Sequence, residues 1–192
     1  MQSKLPDAKT ALRRAVRARL NLLTREQRAA GSARACALLE QQAVWTRART
    51  VLFYAPLPGE ADIWPLVRTA LAAGKTAALP RFDPATSRYL ACRVTNLDSD
   101  LRSGKYGIRE PSESCAVVPL NRLDLTLVPG IAFDLHGRRL GRGKGFYDRL
   151  LAVVRGTTCG VAFDEQIAGE IPVEPHDIHL NCILTPTRWI EP

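Results

Sequence analysis

Apolar residues in the first twenty positions recur at helical spacing: Leu5, Leu12, Val16 and Leu20 share one face. Lys9, Arg13 and Arg17 fall at i, i+4 and i+8 and share another, basic face. Pro6 suits a first helical turn and Asp7 favours the positive helix end, so the pattern predicts a helix over 6–20. Thr24-x-x-Gln27 is a capping-box pattern and opens a second helix running to about residue 41. Residues 50–55 are rich in β-formers and then meet Pro56, Pro58 and Gly59, which predicts a strand and a loop. A helix over 62–73 ends at Gly74, and a short strand over 76–79 is closed by Pro80. Residues 88–95 alternate as a strand does, and 97–122 are loop-rich. An apolar strand over 123–128 leads into a glycine-rich loop over 129–145 and a helix over 146–154. A strand at 160–163 follows, and the end contains the segments 182–185 and 188–190. Strands alternating with helices predict an α/β fold: a three-layer αβα sandwich on a mostly parallel sheet, in a single domain over 1–192.

Bulk properties narrow the class. A chain of 192 residues, 46% hydrophobic and 24% charged, can bury a full core without disulfide or metal staples. The five cysteines, Cys36, Cys92, Cys115, Cys159 and Cys182, are odd in number and widely spaced, with no Cys-x-x-Cys pair. Free thiols in a reducing, cytoplasmic compartment are the simplest reading. The basic N-terminus has no apolar stretch behind it, which argues against a secretory signal. No apolar run approaches the roughly 18 residues needed to cross a bilayer. The net charge of +8 favours anionic partners, whether nucleotides, phosphorylated metabolites, polycarboxylates or nucleic acid.

Chemistry concentrates in residues 127–149, LVPGIAFDLHGRRLGRGKGFYDR. Gly137, Gly141, Gly143 and Gly145 let backbone N–H groups approach a ligand closely, and Arg138, Arg139, Arg142 and Lys144 add charge. A strand, a basic glycine-rich loop and a helix N-terminus together can cradle phosphate. The loop is neither a Walker A motif, since Gly145 follows Lys144 where Ser or Thr is needed, nor a dinucleotide fingerprint, since Gly141, Gly143 and Gly145 are evenly spaced. A flexible basic surface loop is the alternative at this point.

The segment Leu140-Gly-Arg-Gly-Lys-Gly-Phe-Tyr-Asp148, preceded by Pro129-Gly130, Phe133-Asp134 and Gly137, resembles the signature of the 5-formyltetrahydrofolate cyclo-ligases. Flanking likenesses occur in order: Lys9-x-x-x-Arg13, the loop from Tyr54 to Asp62 with Glu60, Leu79-Pro-Arg81, Tyr106-Gly-Ile-x-Glu-Pro111, Ala162-Phe163-x-x-Gln166 and Asp177. The resemblance implies ATP-dependent conversion of 5-formyltetrahydrofolate, which can carry a polyglutamate tail, to 5,10-methenyltetrahydrofolate, with ADP and phosphate released. The formyl oxygen attacks the terminal phosphate, and the other folate nitrogen then displaces phosphate from the imidate phosphate. Such a reaction needs alignment and charge neutralisation rather than a protein nucleophile.

By the same resemblance, ATP is bound by Lys9, Arg13, Arg139, Leu140, Gly141, Arg142, Gly143, Lys144, Gly145, Phe146 and Tyr147. Folate meets Ala55, Glu60, Arg142, Gly143, Lys144, Gly145 and Phe146. Arg142 and Lys144 are the implied catalytic cations, and Asp148 and Asp177 the implied ligands of Mg²⁺. The chain departs from the family at Phe146, where Tyr is frequent, and at Ile63, where Thr is common; both bear on folate affinity.

Blander readings stand beside these. Without the resemblance, Lys9, Arg13 and Arg17 are a solvated helix face, Glu60 is a surface loop residue, and Asp148 serves the helix dipole. His176 and His179 with Glu174 lack the third or fourth ligand of an ordinary zinc site. His136 reads as solvent-exposed, and Trp45, Trp64 and Trp189 as packing residues. Three other functions compete: a nucleic-acid binder, disfavoured because aromatics do not interleave with the basic residues; a catalytically weak relative that binds ATP or folate as a sensor; and a sugar-phosphate isomerase, which would need no ATP. No membrane partner is expected.

Overall fold

The computed structural model describes residues 4–104, 107–143, 145–172, 174 and 178–192. Helix α1 spans Lys4–Asn21 and α2 spans Arg25–Glu40. Thr24 caps α2 as its sequence predicts: the hydroxyl accepts from the Gln27 N–H at 3.2 Å, and the Gln27 side chain accepts from the Thr24 N–H at 2.8 Å. A short helix α3 (Ala43–Arg47) then leads into β1 (Thr50–Leu52), α4 (Trp64–Ala72), β2 (Thr76–Asp83) and β3 (Arg88–Val94). Three small strands follow, β4 (Leu101–Ser103), β5 (Arg109–Pro111) and β6 (Val117–Val118). The second half holds β7 (Leu125–Pro129), β8 (Ala132–Phe133), β9 (Arg139–Leu140), α5 (Phe146–Leu151), β10 (Thr157–Val161), β11 (Cys182–Leu184) and β12 (Trp189–Ile190).

The main sheet has eight strands in the order β12-β11-β10-β7-β1-β2-β3-β6. Its centre, β11-β10-β7-β1-β2, is parallel; β12 on one edge and β3 on the other run against it, and β6 pairs antiparallel with β3. Side-chain alternation splits the core in two. Val51, Phe53, Leu125 and Leu127 pack with Ala35 and Leu39 of α2 and Leu66 and Val67 of α4. Leu52, Ala78, Val128 and Ile183 face the other way, with Phe133 of β8 and Leu150 and Leu151 of α5. The three-layer αβα arrangement thus follows from the period of two along each strand.

One feature of the strand order positions the site. The chain leaves β1 towards α4 on one face of the sheet, and leaves β7, the neighbour of β1, towards α5 on the opposite face. The two loops diverge above the carboxyl ends of β1 and β7 and leave a crevice, the usual ligand position in an open α/β sheet.

Three expectations needed correction. Pro80 does not close β2, which continues to Asp83 against β3. Parallel pairing with β1 stops at Ala78, so the missing N–H of Pro80 leaves no bond on that side unmade. The loop over 129–145 contains an antiparallel hairpin, β8–β9, with Ala132 opposite Leu140 and Phe133 opposite Arg139. The helix after it is shorter than expected, ending at Leu151.

Phe133 locks this hairpin to the sheet. A Cβ added at Gly160 in β10 would lie 2.6 Å from the Phe133 ring and 2.9 Å from Leu180, both buried. Gly160→Ala should therefore destabilise the protein by about 1–3 kcal/mol, the usual cost of overpacking a core. Urea unfolding checks this, and a midpoint unchanged from the parent would mean that the ring moves aside freely.

Candidate active site

The crevice holds a cavity of about 210 Å³ whose walls come from both loops. From the β1 side come Tyr54, Ala55, Leu57 and Glu60. From the β7 side come Pro129, Gly130, Arg139, Gly141, Arg142, Gly143, Gly145, Phe146, Tyr147 and Asp148. Pro80, Tyr89, Ile108 and Glu110 complete it from β2, β3 and the β4–β5 excursion.

The β1 loop is built as a rigid ledge. The Tyr54 hydroxyl donates to the Ala61 carbonyl at 2.9 Å. The Leu57 N–H donates to one Glu60 carboxylate oxygen at 2.9 Å, and the Glu60 N–H returns to the Leu57 carbonyl at 2.9 Å. Helix α2 clamps the outside: Arg28 donates to the Gly59 carbonyl at 3.2 Å, and Ser32 accepts from the Asp62 N–H at 3.0 Å. The other Glu60 oxygen accepts from Arg142 at 2.8 Å across the cavity, with the Glu60 side chain only 9% exposed.

The glycine-rich loop is held from within by acids. Asp134, fully buried, accepts from the His136 and Arg138 N–H groups through one oxygen (2.9 and 3.1 Å) and from the Ile171 N–H through the other (3.0 Å). Arg139, 5% exposed, pairs with Asp148 and lies over the Tyr147 ring at 5.7 Å. Gly143 and Gly145 stand at φ of +93° and +63°, so both positions demand a residue without a Cβ. Burial pushes the Tyr147 phenol well above its usual range, with Glu60 and Tyr89 adding to the shift and Arg139 opposing it. Burial does the same to Tyr54, reinforced by Glu60. Both phenols therefore stay protonated at neutral pH and can donate.

Most of the expected site residues meet here. Ala55, Glu60, Arg139, Gly141, Arg142, Gly143, Gly145, Phe146, Tyr147 and Asp148 all line the cavity. Leu140 does not: it is buried against Val16 of α1 with Ile131 and Ile171. Arg13 reaches the loop from outside, donating to the Gly141 carbonyl at 3.0 Å, and so brings α1 to the cavity rim. Lys9, one turn earlier, pairs with Glu174 at 2.9 Å. Lys144, Asp177, His176 and Tyr106 lie outside the described residues. Among the described residues no cluster of three or more metal-ligating side chains is present.

Comparison with known proteins decides the family. The 5-formyltetrahydrofolate cyclo-ligase family model matches residues 6–186. The chain is 34% identical over 177 residues to the 5-formyltetrahydrofolate cyclo-ligase of Escherichia coli K12, covering 90% of this chain and 97% of that one. The mouse cyclo-ligase is 29% identical over 192 residues, covering 92% and 93%. The chain belongs to the 5-formyltetrahydrofolate cyclo-ligase family. The NMR structure of Aquifex aeolicus 5,10-methenyltetrahydrofolate synthetase superposes with a TM-score of 0.85 at 34% identity, covering 95% of this chain and 92% of that one. The cyclo-ligase fold thus accounts for nearly the whole chain.

Tyr54, Leu57, Pro80, Tyr89, Ile108, Glu110, Pro129 and Gly130 line the cyclo-ligase cavity without having been expected as site residues. Tyr89 and Phe146 meet edge to face at 5.2 Å, with Phe82 5.6 Å from Phe146. No spacing rule in sequence links β3 to the glycine loop, so this aromatic wall is legible only once the sheet is closed. Glu110 stood within a quoted motif, but an acid before a proline carries no signal of its own.

The buried Asp134 is the hidden support of the loop. In Asp134→Asn the new amide must point a donor at a backbone N–H, whichever way it is flipped. We expect a loss of about 1–3 kcal/mol, the cost of leaving a buried polar group mismatched. Faster amide exchange at His136, Arg138 and Ile171 should accompany it. Exchange rates equal to the parent's would show that the carboxylate does not hold the turn.

Proposed function

We propose that this cavity performs the reaction of the family, ATP-dependent cyclisation of 5-formyltetrahydrofolate to 5,10-methenyltetrahydrofolate. The observation that carries this reading is the meeting of the signature glycine loop and the Glu60 ledge on one cavity, joined by the Glu60–Arg142 pair. The amide-like formyl oxygen attacks the terminal phosphorus of ATP, and the bond to the ADP oxygen breaks. The second folate nitrogen, N10, then attacks the formyl carbon, and the C–O bond breaks with its electrons leaving on phosphate. Every step is a displacement at a positioned centre, so orientation and charge neutralisation supply the catalysis.

Arg142 and Lys144 neutralise the transferring phosphoryl group in this reading. Arg142 is 45% exposed and, among the described residues, its side chain is tethered through Glu60, which lets it turn towards phosphate when folate takes over the carboxylate. Glu60, fixed by the Leu57 N–H, presents an acceptor to the amino-pterin edge, and Ala55 flanks it. The open backbone of Gly141, Gly143 and Gly145 faces the triphosphate, with Arg13 and Lys9 on the outer side and Arg139 beneath. Leu140 contributes only by its backbone.

Magnesium suits Asp148. Its carboxylate lines the cavity with one oxygen held by Arg139, and Mg²⁺ in nucleotide sites takes one or two carboxylates together with phosphates and water. Asp177 is the second candidate ligand. The ion would supply shielding of phosphate charge.

Nucleic-acid binding gains no support from the loop. Arg139 is buried beneath it, and Arg138 is engaged by Glu170 at 3.0 Å, so the arginines do not form an exposed stripe. We place the enzyme in the cytoplasm, supported by five unpaired cysteines, four of them buried. Among the described residues no helix is long and apolar enough to cross a membrane.

Purified protein given 5-formyltetrahydrofolate should form the methenyl product, read by absorbance, only when ATP and a divalent cation are both present. One ADP should appear per product. Absence of product from folded protein that binds both ligands would overturn the assignment.

A further inference from the structure

We propose that Glu110 is the base that accepts the N10 proton during ring closure. This rests on the cyclo-ligase reading of the cavity. N10 enters the reaction carrying hydrogen and leaves it without one. Its lone pair forms the new N10–C bond, the C–O electron pair departs on phosphate, and the proton needs an acceptor.

Three carboxylates line the cavity: Glu60, Glu110 and Asp148. Two are engaged by arginines of the glycine loop, Glu60 by Arg142 and Asp148 by Arg139. Glu110 forms no salt bridge among the described residues. It sits on β5, which the excursion after β3 lays beside β2, and so approaches from a different wall than Glu60. Gly104 makes room for it: a Cβ there would lie 2.7 Å from the Glu110 carboxyl carbon.

Glu110 also lines a second cavity, of about 620 Å³. That cavity holds Arg81 and Asp83 of β2, Arg102 of β4, and Glu113. Glu110 therefore borders both the reaction cavity and a second cavity lined by charged side chains, so a proton taken on one side can be passed to the other.

Burial raises the Glu110 pKa above the ordinary glutamate value; the Phe82 backbone N–H, Arg102 and Arg81 oppose this without cancelling it. On the reaction side the charged and titratable groups of the wall are Glu60, Arg139, Arg142, Asp148 and the phenols Tyr54, Tyr89 and Tyr147. A carboxylate with a raised pKa is a stronger base. Turnover should then fall as pH drops through that raised value.

The test is Glu110→Gln in the full-length enzyme, with ADP and methenyl product followed separately in the first turnover. ADP formation should keep nearly the parent rate, methenyl formation should slow by about 100-fold, and the acid limb of the kcat profile should vanish. The Michaelis constants for ATP and folate should stay within about 2-fold. Glu110→Asp, which keeps the base, should retain the acid limb at reduced rate. Methenyl formation in Glu110→Gln within about 3-fold of the parent, with the acid limb intact, would overturn the proposal and leave the cyclo-ligase assignment standing. Equal slowing of ADP and methenyl formation would also overturn it, by showing a role before ring closure.

Discussion

The strand order around β1 governs everything built above it. Because β1 lies between β2 and β7, both parallel to it, its outgoing loop and that of β7 leave for opposite faces of the sheet. A crevice at that point needs no special residues to open it. The residues are needed to furnish it, and each loop has its own internal scaffold. On the β1 side this is the Tyr54 hydroxyl and the reciprocal Leu57–Glu60 bonds; on the β7 side it is Asp134, with no solvent exposure at all.

Charge in the cavity is arranged in cross-linked pairs. Arg139–Asp148 joins β9 to α5, while Glu60–Arg142 joins one loop to the other. In the first pair the arginine is buried and the carboxylate faces the cavity, so the pair holds the loop to the helix. The second has the exposure reversed, with a half-exposed arginine on a nearly buried glutamate. Its value is that either partner can be claimed by a ligand: the carboxylate by a hydrogen-bond donor, the guanidinium by phosphate. Under the proposed function, binding of one substrate would free the group that meets the other. For a reaction that joins a formyl oxygen to a terminal phosphate, such an exchange links occupancy of the two subsites.

Much of this was legible in the sequence, because periodicity and local motifs report local structure. The Thr24 capping box, the alternation through β1 and β7 and the α/β class all depend on residues close together in the chain. The glycine loop and its family likeness pointed to the cavity, and ten of the expected site residues line it. What failed was non-local. Pro80 reads as a strand breaker until the absence of a β1 partner beyond Ala78 is known. Leu140 shares the signature yet faces Val16, because a two-residue strand must point one side chain away from the site. Tyr89 and Glu110 reach the cavity only through antiparallel additions at the β2 edge, for which sequence spacing offers no measure.

The central claim is that Glu60 and Arg142 act as one exchangeable pair at the junction of the two subsites. The most direct measurement is a double-mutant cycle on kcat/KM for folate at saturating ATP, using Glu60→Gln, Arg142→Ala and the combination. A coupled pair predicts that the double variant is little worse than the worse single variant, because each change already disrupts the exchange. Losses that simply multiply would contradict the account, and would mean that the two side chains act independently despite their 2.8 Å contact.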